Sequence, residues 1–406
     1  MQVKHIAIDQ AERTSLSWLR QLLHLDRLPQ TVCHAQLSKY RTQMMATDVF
    51  WQVALTMEAP HTLRITVHEK WTTIPVIRAA VGGNSILRVL GIYDTHLWGR
   101  ALTLGGEFRR YDRTTPGGVL YMNGQVGENL QHHFNLQYWQ LERRTLAYSP
   151  NGAAIGQTSY SNRSLRLVWD QKISPSSFWR LGIIIQPFLN RDWQLDVSGS
   201  ANRAISTSLQ RKTIFGLRAV AGQVYPDNIM LTGSKLILEP LLEWYPQKRH
   251  FTSAWKLEGF TFWRPSYHWN YALHGVALGS LSSSSDTQVS LGGLDSVRGL
   301  PDGFMRGSHA TWINLEARFL ALQQKQLWIQ PVIFIDGAVL KQASGCQTCG
   351  PSSAVTTGLG VRFAVPQIKR FVVRIDSAWS LSRPWTFSIS AGMNQFFQPM
   401  HPLEGR

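Results

Sequence analysis

From about Ser85 to Phe397 the chain repeats one pattern: segments of alternating apolar and polar residues, each near the ten or so residues that cross a bilayer at a tilt, separated by turn residues. Val355, Thr357, Leu359, Val361, Phe363 and Val365 fall on one face of such a segment, and Thr356, Gly358, Gly360, Arg362 and Ala364 on the other. Val373, Ile375 and Trp379 oppose Arg374, Asp376 and Ser380 in the same way. Leu236, Leu238, Leu242 and Trp244 oppose Lys235, Glu239 and Glu243, while Leu165, Leu167 and Trp169 oppose Arg166 and Asp170. Leu102, Leu104 and Phe108 oppose Thr103, Glu107 and Arg109. Period two is the signature of a two-faced strand. The connections divide the stretch into about sixteen segments, an even number suited to a ring of antiparallel strands. Alternation is common to soluble sandwiches and membrane barrels. The number of long segments with no helix between them favours the transmembrane antiparallel β-barrel. A charge on the lipid side costs ~2–4 kcal/mol at mid-bilayer, so Arg362, Arg374 and Asp376 are expected to face the lumen.

Composition agrees with this reading and removes others. The 406 residues contain no apolar run of the 18 or more that a membrane-spanning helix needs, and mean hydropathy is −0.15. Sixteen Trp, 17 Phe and 11 Tyr beside only 16% charged residues suit a barrel with aromatic girdles, as they suit a large soluble β protein. The net charge of +16 is spread along the chain without a Lys/Arg run interleaved with aromatics, so nucleic acid is not the expected partner. A positive lumen and rim facing anionic lipopolysaccharide or an acidic client suits the charge as well.

Enzyme signatures are absent from the sequence: there is no P-loop, no G-x-S-x-G and no H-E-x-x-H. His132 and His133 are adjacent, and on a strand they point to opposite faces, so they form no metal pair. Neither catalysis, nor a metal, nor a cofactor is expected. Cys346-Gln347-Thr348-Cys349 lies between Gly345 and Gly350. With no second Cys or His pair to complete a zinc site and no following helix, a short disulfide stapling an exposed loop is the favoured reading.

The first 75 or so residues differ from the rest and have the size of a small domain. Val3 to Ile8 reads as a strand, Ser15 to Leu25 and Val32 to Met45 as helices, and Asp48 to Met57 and Thr62 to Glu69 as two further strands. At the other end of the chain, Leu291 to Phe319 begins as a loop broken by Gly292, Gly293, Gly299, Pro301, Gly303 and Gly307. Within it stands Val297-Arg298-Gly299-Leu300, one cation among apolar residues, suited to tucking against a wall. A strand follows, with Ile313, Leu315, Ala317 and Phe319 on one face and Asn314, Glu316 and Arg318 on the other. Period two across Phe334-Ile335-Asp336-Gly337-Ala338 turns Phe334, Asp336 and Ala338 to one side.

These features together resemble the POTRA-bearing outer-membrane barrels, the superfamily of the BamA and TamA assembly factors and the two-partner secretion transporters. Val297-Arg298-Gly299-Leu300 resembles the V-R-G-[FY] of that superfamily's sixth extracellular loop, with Leu300 replacing the aromatic. Phe334-Ile335-Asp336-Gly337-Ala338 resembles the F-x-D-x-G of the wall strand that receives the loop arginine. The resemblance implies that Arg298 meets Asp336 inside the barrel, with Glu316 and Arg318 as neighbouring polar wall. Gly91 to Gly99 resembles the G-x-x-D-x-N-x-x-G stretch at the first barrel turn, with His96 for the asparagine. The segment ending in Gly392, Asn394, Phe396 and Phe397 looks like a carboxy-terminal β-signal, followed by a tail over 398–406.

The same resemblance implies a POTRA-like periplasmic domain over 1–75 and a transmembrane barrel over 84–397 in the bacterial outer membrane. A seam between Leu87–Tyr93 and Phe387–Phe397 would open to a client strand. The implied function is a polypeptide insertase or translocase, with a two-partner secretion transporter or a passive pore as alternatives. Implied partners are unfolded polypeptide clients, outer-membrane lipid and lipopolysaccharide, and accessory periplasmic or lipoprotein subunits.

Overall fold

The computed structural model describes residues 2–25, 28–58, 60–82, 85–112, 114–127, 130–174, 177–197, 205–207, 211–227, 229–281, 289–292, 296–342, 349–368, 371–382 and 386–392. A small α+β unit comes first. It comprises β1 (His5–Asp9), α1 (Leu16–Leu23), α2 (His34–Ala46), β2 (Phe50–Glu58) and β3 (Thr62–Glu69). β3 is central, parallel to β1 and antiparallel to β2. Helix α1 starts after an extended Ser15 and stops at His24, whose left-handed φ of 57° lets its amide reach back to Gln21. Its buried Trp18, Leu19 and Leu23 pack with Tyr40 and Met44 of α2 and with the inward Leu63, Ile65 and Val67 of β3.

Among the described residues, sixteen long antiparallel strands form the second part. They are β4 (Thr73–Gly82), β5 (Ser85–Leu97), β6 (Leu102–Tyr111), β7 (Gly117–Val126), β8 (His132–Tyr148), β9 (Ala154–Lys172), β10 (Arg180–Val197), β11 (Lys212–Asp227), β12 (Met230–Tyr245), β13 (His250–Trp263), β14 (Trp269–Ser280), β15 (His309–Phe319), β16 (Trp328–Lys341), β17 (Ser353–Ala364), β18 (Val372–Ser380) and β19 (Phe387–Gly392). Neighbours follow chain order and β19 lies next to β4, so the strand order is circular.

Period two sorts the side chains as the alternation predicts. On β15, Ile313, Leu315 and Phe319 are exposed while Asn314, Glu316 and Arg318 are buried. On β16, Ile333, Ile335 and Val339 are exposed, and Phe334, Asp336 and Ala338 are buried. Arg362, Arg374 and Asp376 are all buried on the inner side. An apolar outside around a charged inside is the reverse of a water-soluble barrel. It is the arrangement of a transmembrane barrel, whose wall is solvated by lipid and whose charges avoid the ~2–4 kcal/mol of mid-bilayer exposure.

Two boundaries differ from the sequence expectation. The barrel begins at Thr73, not near residue 84, so the first 75 residues are not all one domain and the strand beside β19 is β4 rather than Leu87–Tyr93. Pro75 lacks the N–H that a ladder uses. In the structure Pro75 sits near the start of its strand, opposite Ile92. The stretch Gly91 to Gly99 accordingly leads into the turn between the second and third barrel strands.

The small unit is fastened to this turn and its surroundings. The Ser15 amide donates to Gly99 O at 3.0 Å, and Thr14 Oγ1 and His96 Nε2 are 2.9 Å apart. Arg13 Nη2 meets Asp94 Oδ2 at 2.6 Å. Within the small unit Glu69 holds this lead-in segment in place, accepting from the Thr14 amide at 2.8 Å, from the Arg13 amide at 3.1 Å and from the Thr14 hydroxyl. Ala101 and Leu130, both in barrel turns at that end, pack into the small unit's core. Helix α2 reaches strand β11, which is far from β5 and β6 around the ring. The unit therefore extends across one mouth of the barrel.

Candidate functional site: a loop latched inside the barrel

The connection between β14 and β15 leaves from the end opposite the small unit and turns back into the lumen. A short ribbon, Val289–Leu291 with Met305–Gly307, forms its neck. Beyond the neck, Gly299 and Gly303 adopt φ of +85° and +72°, which glycine adopts without a side-chain clash. A Cβ on Gly299 would lie 3.1 Å from the Ala378 methyl, so the loop backbone lies directly against β18.

This approach delivers Arg298 to the wall. Its Nε donates to Asp336 Oδ2 at 2.8 Å and its Nη2 to Asp336 Oδ1 at 2.8 Å, a bidentate contact, and its backbone amide donates to Asp336 Oδ2 at 3.0 Å. Its Nη1 donates to Glu316 Oε1 at 2.5 Å and lies 3.8 Å from Asp376 Oδ2. The guanidinium is centred 3.6 Å from the Phe334 ring, a cation–π contact. Three wall strands, β15, β16 and β18, thus hold one side chain, which is only 1% exposed.

The receiving wall is itself a charge network. Arg318 Nε donates to Glu316 Oε2 at 2.7 Å. Arg362 bridges Asp376 at 2.5 Å and Glu316 at 3.3 Å, and Arg374 donates to Asp376 Oδ2 at 2.7 Å. Four guanidinium groups thus share three carboxylates. Buried charges of this kind survive only by mutual pairing, and removing one strands the rest at ~3–5 kcal/mol.

Apolar contacts and further hydrogen bonds complete the seating. Val297 and Leu300 are fully buried and pack with Tyr148, Phe304, Met305 and Leu340. Leu300 thereby fills an apolar pocket without an aromatic ring. Phe304 meets Tyr148 edge-on at 5.0 Å. Arg306 Nη2 donates to Thr145 Oγ1 at 2.5 Å, tying the loop to β8 across the lumen from β16. Asn314 Nδ2 donates to Ser296 O at 2.8 Å, and Thr386 Oγ1 donates to Gly299 O at 2.5 Å.

No protein-family model matches the chain, and no curated protein matches it. Solved structures do. CdiB from Acinetobacter baumannii is similar over 97% of this chain and 74% of its own, with a TM-score of 0.60 and 13% identity. BamA from Haemophilus ducreyi lacking POTRA domains 1–3 matches over 96% and 84%, with a TM-score of 0.55 and 13% identity. CdiB from Escherichia coli matches over 97% and 90%, with a TM-score of 0.59 and 10% identity. The fold is that of the CdiB and BamA barrels.

Within this BamA-like fold, the structure brings Val297, Arg298, Gly299, Leu300, Phe334, Asp336, Glu316 and Arg318 to one place. Gly392 stands apart at the end of β19, and Asn394, Phe396 and Phe397 lie outside the described residues. Cys349 is disulfide-bonded and, through its backbone, forms an isolated parallel β-bridge with Tyr148, while Cys346 lies outside the described residues. Sequence reasoning placed Asp376, Arg362 and Arg374 in the lumen without linking them to the loop. The signal was present in three inward arginines on three strands, which require more acid than Asp336 alone. Thr145 and Arg306, 161 residues apart, carry no such signal.

Proposed function

We propose that the protein is an outer-membrane insertase or translocase for polypeptides, with its N-terminal unit a POTRA domain in the periplasm. The observation that carries this reading is the burial of Arg298 between Asp336 and Glu316. A loop held in the lumen by charge-assisted contacts to three strands obstructs a passive pore, and its release requires a compensating interaction. A polypeptide that occupies the lumen or parts the wall supplies one. The small unit offers two outer strands, β1 and β2, and an exposed sheet edge takes up an extended segment through its unpaired backbone groups. The junction of β4 with β19 is where the chain's two ends meet in the sheet, and it is the junction we assign to client entry.

The likeness to CdiB favours a second reading, secretion of a partner polypeptide through the lumen. One reconstitution separates the two. Vesicles carrying the full chain are offered an unfolded outer-membrane barrel protein, whose insertion is read as a heat-modifiable band on a gel. They are offered, in parallel, an unfolded secreted β-helical polypeptide, read as protease protection inside the vesicle. Faster barrel insertion than in empty vesicles supports the insertase, and protection of the secreted polypeptide supports the transporter. Neither effect, with a steady ohmic current instead, refutes both in favour of a passive pore.

A further inference from the structure

The outer wall carries a feature that the loop latch does not use. Arg88 on β5 and Arg110 on β6 are direct cross-strand partners, and both are exposed. Their flanking residues Leu87, Val89 and Tyr111 point inward and pack together, so both arginines project from the outside of the barrel. The doublet Arg109-Arg110 is split by the wall: Arg109 is buried and paired with Glu107 within, whereas Arg110 faces out. Like charges directly opposite one another on a sheet face are destabilising, with side chains about 5 Å apart at their Cβ atoms.

Among the described residues no carboxylate lies within ion-pair distance of Arg88 or Arg110. Asp112, two residues beyond Arg110, turns its Oδ1 to the Ile86 amide at 2.6 Å. Glu142, two strands further round, is engaged by Arg144 at 3.0 Å and by the Thr115 amide at 3.3 Å. One step toward the middle of the wall, the next outward pair is Leu90 opposite Phe108, 61% and 72% exposed. Two cations side by side sit directly above two bare apolar side chains. They lie near the barrel end opposite the small unit, Arg88 three residues inside the start of β5 and Arg110 next to the end of β6.

We infer that Arg88 and Arg110 form a binding site for a phosphate-bearing lipid of the outer leaflet, its phosphate bridging the two guanidinium groups and its acyl chain lying on Leu90 and Phe108. The assignment of the leaflet rests on the periplasmic placement of the small unit proposed above; the pairing itself does not. Guanidinium forks match phosphate oxygens bidentately, and an anion between them converts the cross-strand repulsion into two charge-assisted contacts. Near the interface an arginine can extend its head into the headgroup layer while its stem lies on the apolar wall.

The test uses the full chain in a zwitterionic detergent, with diphosphorylated lipid A as the probe and binding read by native mass spectrometry. The same lipid stripped of both phosphates and inorganic phosphate serve as the other arms. Binding of diphosphorylated lipid A should exceed that of the phosphate-free lipid by at least about tenfold, and the Arg88→Gln/Arg110→Gln variant should lose that margin. Inorganic phosphate at equal concentration should not displace the lipid. Equal binding of both lipids by the natural chain overturns the inference whether or not the variant folds. So does undiminished binding by a variant that keeps its heat-modifiable barrel. Displacement by inorganic phosphate reduces the site to a simple anion site and overturns the lipid assignment. Because no client is present, these outcomes are independent of the insertion and secretion assays.

Discussion

Arg298 satisfies one carboxylate bidentately, a second through Nη1, and an aromatic face at once. A lysine in its place would keep the charge and lose the fork, so Arg298→Lys should behave more like Arg298→Ala than like the natural chain. Either change should lower the thermal stability of loop seating by ~3–5 kcal/mol, read as protease cleavage within the 296–308 segment from the loop end. Gly299→Ala tests the backbone rather than the charge. At φ +85° with Ala378 beside it, an added methyl should weaken seating by ~1–2 kcal/mol in the same cleavage assay while leaving every ion-pairing group in place. Arg298 and Asp336 are legible in the sequence because each sits in a short local pattern with a fixed face. Asp376, Arg362 and Arg374 are legible only as lumen charges. Which of them touch depends on strand order and stagger, and these are set by the whole ring.

At the scale of elements, the lead-in to α1 is the fastening between the two parts. Inside the small unit Glu69 holds that lead-in through two backbone amides and a hydroxyl of Arg13 and Thr14, whereas the Arg13–Asp94 ion pair to the barrel is partly exposed, with Arg13 43% accessible. Glu69→Ala should therefore loosen the small unit more than Asp94→Ala does. The expected costs are ~1–3 kcal/mol for the unsatisfied amides and ~0–1 kcal/mol for the ion pair. Limited proteolysis between the small unit and β4 should accelerate in the first variant, with the barrel band unchanged. The helices of this unit and the order of its elements along the chain were readable from apolar spacing. The start of the barrel was not, because the alternation is clear only from about Ser85. The ladder to β5, from Thr73–Asp94 to Gly82–Ser85, shows one strand before that point.

For the molecule as a whole, the alternation in the sequence specifies a polar inside and an apolar outside, and the structure sorts the faces of β6, β9, β12, β15, β16, β17 and β18 accordingly, except that Leu102 at the start of β6 is buried. It does not specify what fills the inside. The lumen is crossed by a loop tied to β8 on one side and to β15, β16 and β18 on the other, while the small unit extends across the far mouth. A chain built this way should conduct ions poorly despite its sixteen strands. The most direct measurement is single-channel conductance in planar bilayers of the natural chain, Arg298→Ala, Asp336→Ala and the double variant. Each single variant should show larger and more frequent openings, and the double variant should add little to either, because both changes remove one contact. Conductance unaltered by either substitution, or fully additive effects of the two, would contradict a loop held in the lumen by Arg298 and Asp336.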